Sequence, residues 1–383
     1  MTALEFDSVR LPGPAEQLRH EVRDFLAAEI AAGTFDPRRS GRGFNREFSR
    51  KVGARGWIGM SWPREYGGQE RSFLERYVVL EECLAARAPI QAHFVADRQS
   101  GPVIIKYGSE AIKRSILPRI VSGDCAFGIG MSEPNSGSDL FAAQTKATRT
   151  NEGWRINGTK VWTSNAHQAD YLIALFRTSP PTKENRRHGL TQFVVDMTTP
   201  GITVRPIHFP NGQHEFNEVV FDDALIADDM LLGDVDMAWQ QATQELAYER
   251  SGPERFLETL PVLIELIHVL GSQPDRRGAE GVGRLVAQLH SLRRMSLSVA
   301  GRLESGRDAM VEACIVKDLG TNWEQALPAR ARDLAAFVDE DGVDRGAFDR
   351  VLDETMLIAP KLTIQGGTRE VLRGIIARGL GLR

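Results

Sequence analysis

Gly153-Trp-Arg-Ile-Asn-Gly-Thr-Lys-Val-Trp-Thr163 is the stretch on which the reading of the fold turns. Two strand-like runs, 153–156 and 159–163, flank the dipeptide Asn157-Gly158. An Asn-Gly pair between such runs is a strong local hairpin signal, because both turn residues need positive φ. The stretch predicts a hairpin with its turn at Asn157-Gly158, and so β structure in mid-chain. Working outward on the C-terminal side, further strand candidates lie at 171–176, 191–195, 202–207 and 219–221.

Beyond these limits the spacing becomes helical. Leu18, Val22, Phe25, Leu26 and Ile30 recur at helical intervals after Pro12-Gly13-Pro14. Residues 56–68 are dense in Gly and aromatics, and helical patterning resumes at 74–86 and 110–121. From Met237 to the end it returns, with 274–283 and 339–346 read as loops. The expectation is an α+β chain of three parts: an N-terminal helical domain (1–122), a middle β domain of barrel or sandwich type (123–234) and a C-terminal helical bundle (235–383).

Composition sets outer bounds. The chain has 383 residues, enough for two or three domains, with 42% hydrophobic and 26% charged residues. Its 47 Lys and Arg against 51 Asp and Glu give a net charge of −4. That argues against a nucleic acid or an anionic membrane as main partner. The most apolar run, 262–270, is short and interrupted by Glu265 and His268. Residues 1–7 lack the basic start and apolar stretch of a signal peptide. Cys83, Cys125 and Cys314 read as reduced thiols in a cytoplasmic setting. The eight histidines show no metal-ligand spacing, so no metal is expected.

Three places carry candidate chemistry. Gly128-Ile-Gly-Met-Ser-Glu-Pro-Asn-Ser-Gly-Ser-Asp139 reads as a turn-rich loop where helical and β parts meet. It is either a plain connection or a ligand loop whose N–H groups and Ser132, Ser136 and Ser138 face an oxygen-rich planar ligand. Trp162 and Ser164, two residues apart, point to one side of a strand and suit a flat heteroaromatic cofactor, or else Trp162 is a packed surface residue. Glu249 shares a helical face with Trp239, Ala242 and Leu246. A carboxylate on an apolar stripe is either a general base with a raised pKa or the partner of Arg250 or Arg255. Gly278-Ala-Glu-Gly-Val-Gly283 falls short of a dinucleotide fingerprint and reads as loop.

Together these residues resemble the acyl-CoA dehydrogenase family, a flavoprotein superfamily. The likeness runs from about Gly56 to Arg383 and rests on five blocks in order. They are 56–68, Met131-Ser-Glu-Pro-Asn-Ser-Gly-Ser-Asp139, 157–164 with Lys160 and Trp162, Phe216-Asn-Glu-Val-Val-Phe-Asp-Asp223, and Gly366-Gly-Thr-Arg-Glu370. The resemblance implies FAD held noncovalently between the middle β domain and the C-terminal helices. Ile129 to Ser138, Gly137 included, would line flavin and thioester, with Met131 and Ser132 near the pyrimidine end. Trp162, Thr163 and Ser164 would cover the ring, Ser164 bonding to N5. Thr368 and Glu370 join the cofactor side; Ser138 and Arg250 join the substrate side.

Many members of the family carry a Glu before the final Gly-Thr; here Gly366 stands there and cannot take a proton. A minority put the base on the first long C-terminal helix just before an Arg, and Glu249-Arg250 matches that pattern. Gly366 keeps its N–H as a thioester oxyanion donor. The resemblance thus implies α,β-dehydrogenation of an acyl-CoA to a trans-2-enoyl-CoA, with an electron-transfer flavoprotein as acceptor. The family's Arg-x-x-Phe run and Gly-rich segment, which grip the FAD diphosphate across a subunit interface, are not visible. Arg276 and Arg277 are the nearest substitutes, and Ala247 replaces an Asp of some relatives. The tail Ile376-Ala-Arg-Gly-Leu-Gly-Leu382 is similar to the sterol and bile-acid side-chain arm, whose unlike homologous chains form α2β2 heterotetramers. That partner is expected here, with a homo-oligomer as the alternative. Two rival readings keep the fold: a non-catalytic partner subunit, and an acyl-CoA oxidase.

Overall fold

The computed structural model describes residues 4–37, 43–238, 241, 250–338 and 344–382. In chain order its helices are α1 (Gly13–Ala31), α2 (Arg46–Ala54), α3 (Phe73–Ala85), α4 (Gln91–Val95), α5 (Gly101–Tyr107), α6 (Glu110–Val121), α7 (Leu260–Leu270), α8 (Arg276–Glu304), α9 (Met310–Ala335), α10 (Gly346–Ile358) and α11 (Arg369–Gly379). Contacts group the chain into two units that cut across its linear order. One joins Met1–Arg42, Ser72–Ala88 and Ala247–Arg383; the other joins Gly43–Arg71 and Pro89–Leu246.

The first unit is helical. The apolar stripe read at 18–30 forms α1, which buries Leu18, Val22, Phe25 and Leu26. Helix α3 starts at a capping box in which Ser72 accepts from Glu75 N and Glu75 reaches back to Ser72 N. Such a cap is worth about 1 kcal/mol, because it satisfies backbone donors that the first turn leaves open. Between α1, α3 and α8 lies a buried charge network: Arg19 pairs with Glu81 at 2.9 Å and with Glu82, and Arg293 meets Glu81 at 2.6 Å. The loop expected at 274–283 is corrected, since α8 begins at Arg276. Asp275 caps it, its Oδ1 accepting from Gly278 N at 2.7 Å. A Cβ on Gly281 would lie 2.5 Å from Leu334 Cδ2, so close helix packing outweighs the poor propensity of these glycines.

The second unit sets α2, α4, α5 and α6 with a sheet of strands β1 (Phe127–Gly130), β2 (Lys146–Thr150), β3 (Gly153–Ser164), β4 (Tyr171–Arg177), β5 (Leu190–Asp196), β6 (Ile202–His208), β7 (His214–Ile226) and β8 (Leu231–Leu232). The order is β6-β7-β3-β2-β4-β5-β8, with β1 parallel to β4. Ile156, Leu172, Phe176, Phe193, Val195, Val219 and Phe221 form its buried core. Four strand readings, 171–176, 191–195, 202–207 and 219–221, fall within β4 to β7.

The hairpin is where sequence and structure part. Asn157-Gly158 is not a turn: β3 runs unbroken through it, and the hairpin closes one strand earlier, where Thr150 pairs with Gly153. Strand β3 is paired on both edges, to β2 and β7, and that ladder overrides the local turn preference. The Asn-Gly pair instead serves an irregularity. Asn157 Oδ1 accepts from Asp223 N at 2.9 Å, beside an extra residue on β7 where Asp223 has φ +55°. Gly158 sits at φ +138°, and a Cβ there would come 2.8 Å from Thr145 Cα. The loop read at 128–139 also loses its start to β1. Gly128 permits that strand's close approach to β4, since a Cβ would lie 2.6 Å from Leu172 Cδ2.

Candidate active site

The candidate residues fall in both units, and each unit builds its share differently. In the sheet unit β1 delivers Ile129 and runs on into Met131 and Ser132. A buried ion pair ties this segment to β3. Lys160, with no exposed side-chain surface, places Nζ 2.7 Å from Glu133 Oε1 and donates to Met131 O at 3.3 Å. Glu133 also accepts from Gln144 N at 2.6 Å and Thr145 N at 3.0 Å. Val161 N donates to Ser132 O at 2.9 Å. Burial pushes the Lys160 ammonium down to about 8, against the pull of Glu133. Burial alone would raise Glu133; the Lys160 charge and the donated hydrogen bonds outweigh it and hold the carboxyl below its usual range.

The loop beyond is pinned at its base. Ser136 Oγ donates to Asp139 O at 2.8 Å. Arg177 of β4 donates to Phe141 O, Ala143 O and His188 O at 2.6, 3.2 and 2.8 Å, and burial lowers its pKa. Gly137 and Ser138 sit exposed at the tip; a Cβ on Gly137 would meet nothing within 4 Å.

Trp162 is the most unusual residue of the unit. Between the pairs Lys160–Val219 and Thr163–Asn217, two residues of β3 oppose one of β7, so β3 bulges there. Trp162 lies in the bulge at φ +61°, 57% exposed, with its ring edge-on to Phe216 at 5.8 Å. Positive φ in a bulky residue costs about 1–2 kcal/mol, and such strain clusters at ligand sites. Thr163 beside it is fully buried, and its Oγ1 has no hydrogen-bond partner among the described residues. Ser164 is partly exposed. An exposed indole held off the regular strand, next to hydroxyls, fits one face of a planar heteroaromatic ring. The residues expected to hold a flavin ring in this unit therefore fit that group.

In the helical unit the focus is the turn Gly366-Gly367, with φ +71° and +102°. Two buried cations face its carbonyls. Arg250 Nε donates to Gly366 O at 3.2 Å, and Lys317 Nζ donates to Gly367 O at 2.8 Å. Arg250 Nη1 also lies 3.3 Å from Cys314 Sγ, a thiol whose pKa burial raises. Thr368 caps α11, its Oγ1 accepting from Val371 N at 3.4 Å. Glu370, in the first turn, is held below its ordinary value by its own backbone N–H and by Thr368. Glu249, the expected base, lies outside the described residues, as do Trp239, Ala242, Leu246 and Ala247. Arg276 is 93% exposed and pairs with Glu280 at 2.9 Å, while Arg277 stacks on Phe337 at 3.4 Å. Both line a groove of about 560 Å³ with Arg284 and Leu334.

Sequence reasoning missed the work of Lys317 and Arg177. Lysine in a helix and arginine at a strand end carry no local mark of burial. The Glu133–Lys160 pair was in principle findable: Lys160 occupies an inward position of a strand, where a cation needs a partner.

Comparison with known proteins agrees with this geometry. Residues 14–124 match the model of the acyl-CoA dehydrogenase N-terminal domain, and 128–224 match that of the middle domain. The chain is 33% identical over 385 residues to acyl-CoA dehydrogenase IpdE1 of Mycobacterium tuberculosis, covering 96% of this chain and 97% of that protein. It is 31% identical over 392 residues to IpdE1 of Mycolicibacterium smegmatis, with the same coverage of 96% and 97%. Among solved structures it is similar to the Tcur3481-Tcur3483 steroid ACAD, with a TM-score of 0.84, 27% identity, and coverage of 98% and 99%. It is also similar to the ChsE4-ChsE5 complex from Mycobacterium tuberculosis, with a TM-score of 0.81, 26% identity, and coverage of 98% and 100%. No described helix is long and apolar enough to cross a membrane. The family binds FAD and its members are oxidoreductases. On these matches the chain belongs to the acyl-CoA dehydrogenase family.

Proposed function

We propose that this chain is the catalytic subunit of an FAD-dependent acyl-CoA dehydrogenase that forms a trans-2-enoyl-CoA. The observation that carries the reading is Trp162, an exposed indole at φ +61° on a strand locked by Lys160 to the segment 131–133. FAD, when bound, supplies the acceptor for the β-hydride. The chain does the rest. Trp162, Thr163 and Ser164 orient the ring; Ile129, Met131, Ser132 and Gly137 line it, and Ser138 faces the thioester. The Gly366 N–H stabilises negative charge on the carbonyl oxygen as Glu249 takes the pro-R α-proton. Loss of one proton to Glu249 and one hydride to the cofactor turns the Cα–Cβ single bond into a double bond. An electron-transfer flavoprotein would be the acceptor of the two electrons.

The similarity to the steroid ACAD and to ChsE4-ChsE5 supports an unlike homologous partner and acyl groups on steroid side chains. In that reading the partner grips the FAD diphosphate, and Arg276 and Arg277 are the substitutes this chain could offer. A second reading, a non-catalytic subunit of such a complex, is favoured by Gly366, which stands where many relatives carry the base. One experiment separates them. Glu249→Gln should keep FAD and acyl-CoA yet slow flavin bleaching about 10²–10⁴-fold in stopped flow. A wild-type rate moves the base elsewhere and favours the second reading. Native mass spectrometry with flavin quantitation, on the chain alone and co-expressed with a homologous partner, tests the assembly. A stable, fully flavinated homotetramer would refute the unlike partner.

A further inference from the structure

The Trp162 bulge is fixed from the facing strand by side chains that the proposed reaction does not use. Thr163 pairs with Asn217 of β7, and Trp162 and Asn165 on either side have φ +61° and +54°. Asn217 is fully buried. Its Nδ2 donates to Thr163 O at 3.0 Å and to Glu215 O at 3.2 Å; Asn165 N donates to that same Glu215 O at 2.7 Å. With both amide protons committed, Asn217 Oδ1 is the atom facing His214 Nε2, 2.7 Å away. His214 must therefore carry its proton on Nε2. The His214 ring is held in place by stacking on His167 at 3.9 Å and 19°, with His208 at 5.3 Å.

We propose that Asn217, oriented by His214, is a positioning residue for the ring-facing segment Trp162–Ser164. The proposal rests on the flavin-binding reading above. An amide has a direction. If Asn217 turned over, its oxygen would face the Thr163 carbonyl, and the two acceptors would repel across the bulge. Thr163 is the peptide immediately before Ser164, the expected partner of N5. A misplacement of about 1 Å at a reacting centre costs on the order of 10²-fold in rate. The His214 N–H at Oδ1 adds to the Thr163 and Glu215 carbonyls at Nδ2 in holding the amide the right way round.

The test compares His214→Gln, His214→Ala and His214→Glu in the full chain, with its partner if FAD loading requires one. Gln offers an N–H to Asn217 Oδ1; ionised Glu offers only acceptors and favours the reversed amide. The expected order of flavin-reduction rate is wild type and Gln together, Ala lower, and Glu lowest by about 10²-fold. KM for acyl-CoA should hold steady, and the flavin absorption band should shift in the Glu variant and recover in Gln. A flavin-free readout is hydrogen exchange of residues 159–166, which should speed up in the Glu variant and not in Gln. Wild-type rates and exchange in all three variants would overturn the proposal. So would equal loss in all three, Gln included, since that marks mere stability. A wild-type chain that binds no FAD, with the exchange order intact, would sink the flavin reading and still support the His214–Asn217 coupling.

Discussion

In the sheet unit a buried cation meets a buried carboxylate, Lys160 on Glu133 at 2.7 Å. Among the candidate-site residues of the helical unit, buried cations meet backbone carbonyls, Arg250 on Gly366 and Lys317 on Gly367 at 3.2 and 2.8 Å. The two arrangements fail in different ways. A charge pair locks two strand-borne segments together, but each partner is a liability without the other, because an unpaired buried charge loses its hydration. A cation on a carbonyl locks a backbone turn. That turn depends on glycine at φ +71° and +102° more than on any side chain. The segment around Lys160 should therefore be sensitive to losing charge and the Gly366-Gly367 turn to gaining a Cβ.

The sharpest way to break the comparison is Lys160→Met. It strands Glu133 and should cost about 3–5 kcal/mol in urea unfolding. Adding Glu133→Gln should recover most of that, since removing both charges leaves no uncompensated ion. A single substitution as mild as the double would show that the pair is not what joins the segments.

The next effect is a pH dependence. Lys160 titrates at about 8 in the folded chain, below its ordinary 10.5. Below pH 8 both states hold the proton. Between these values the unfolded chain binds a proton that the folded chain has released, so stability should rise with pH across that window and then level off. The wild type should gain urea resistance from pH 7.5 to about 9.5 relative to the Lys160→Met/Glu133→Gln double variant. A flat difference would remove the burial argument.

Smaller still, Gly367→Ala should cost about 1–2 kcal/mol, the penalty of a Cβ at positive φ. The new Cβ would sit in ordinary contact, 3.4 Å from Arg250 Nη2, so flavin reduction should fall through the strained backbone at φ +102° rather than through crowding. No change in either quantity would make the turn tolerant and the contrast with the sheet half empty. The smallest effect on stability is expected at the bulge. Trp162→Gly relieves the strained φ and loses the edge-on contact with Phe216. Each is worth about 1 kcal/mol, so unfolding should barely move while FAD affinity, followed by fluorescence titration, falls. Parallel loss of both would make Trp162 a structural residue.

Much of the frame was legible in the residues. Leu18 to Ile30 spell α1 because a buried helical face repeats every three to four positions. Thr191 to Val195 lie within β5 because a β-branched and aromatic run suits a strand buried in a sheet. The blocks 131–139, 157–164 and 366–370 marked the candidate site, because glycine, hydroxyl and aromatic residues at loop positions serve few purely structural ends.

What the sequence determined by itself was local: periodic faces, caps such as Ser72 with Glu75, and the residue types offered to a ligand. Tertiary structure decided the rest. Asn157-Gly158 has the chemistry of a turn, yet pairing to β2 and β7 on either side carries β3 through it as one strand and makes that chemistry a bulge partner and a close approach. The glycines at 278, 281 and 283 read as loop, yet all lie in α8, where Asp275 caps Gly278 and Leu334 packs on Gly281. Lys160 and Lys317 look alike in the sequence, and only their surroundings assign one to a carboxylate and the other to a carbonyl. Local preferences amount to about 1 kcal/mol per residue. Pairing, burial and desolvation bring together residues far apart in the chain at several times that energy, and so they decide wherever the two disagree.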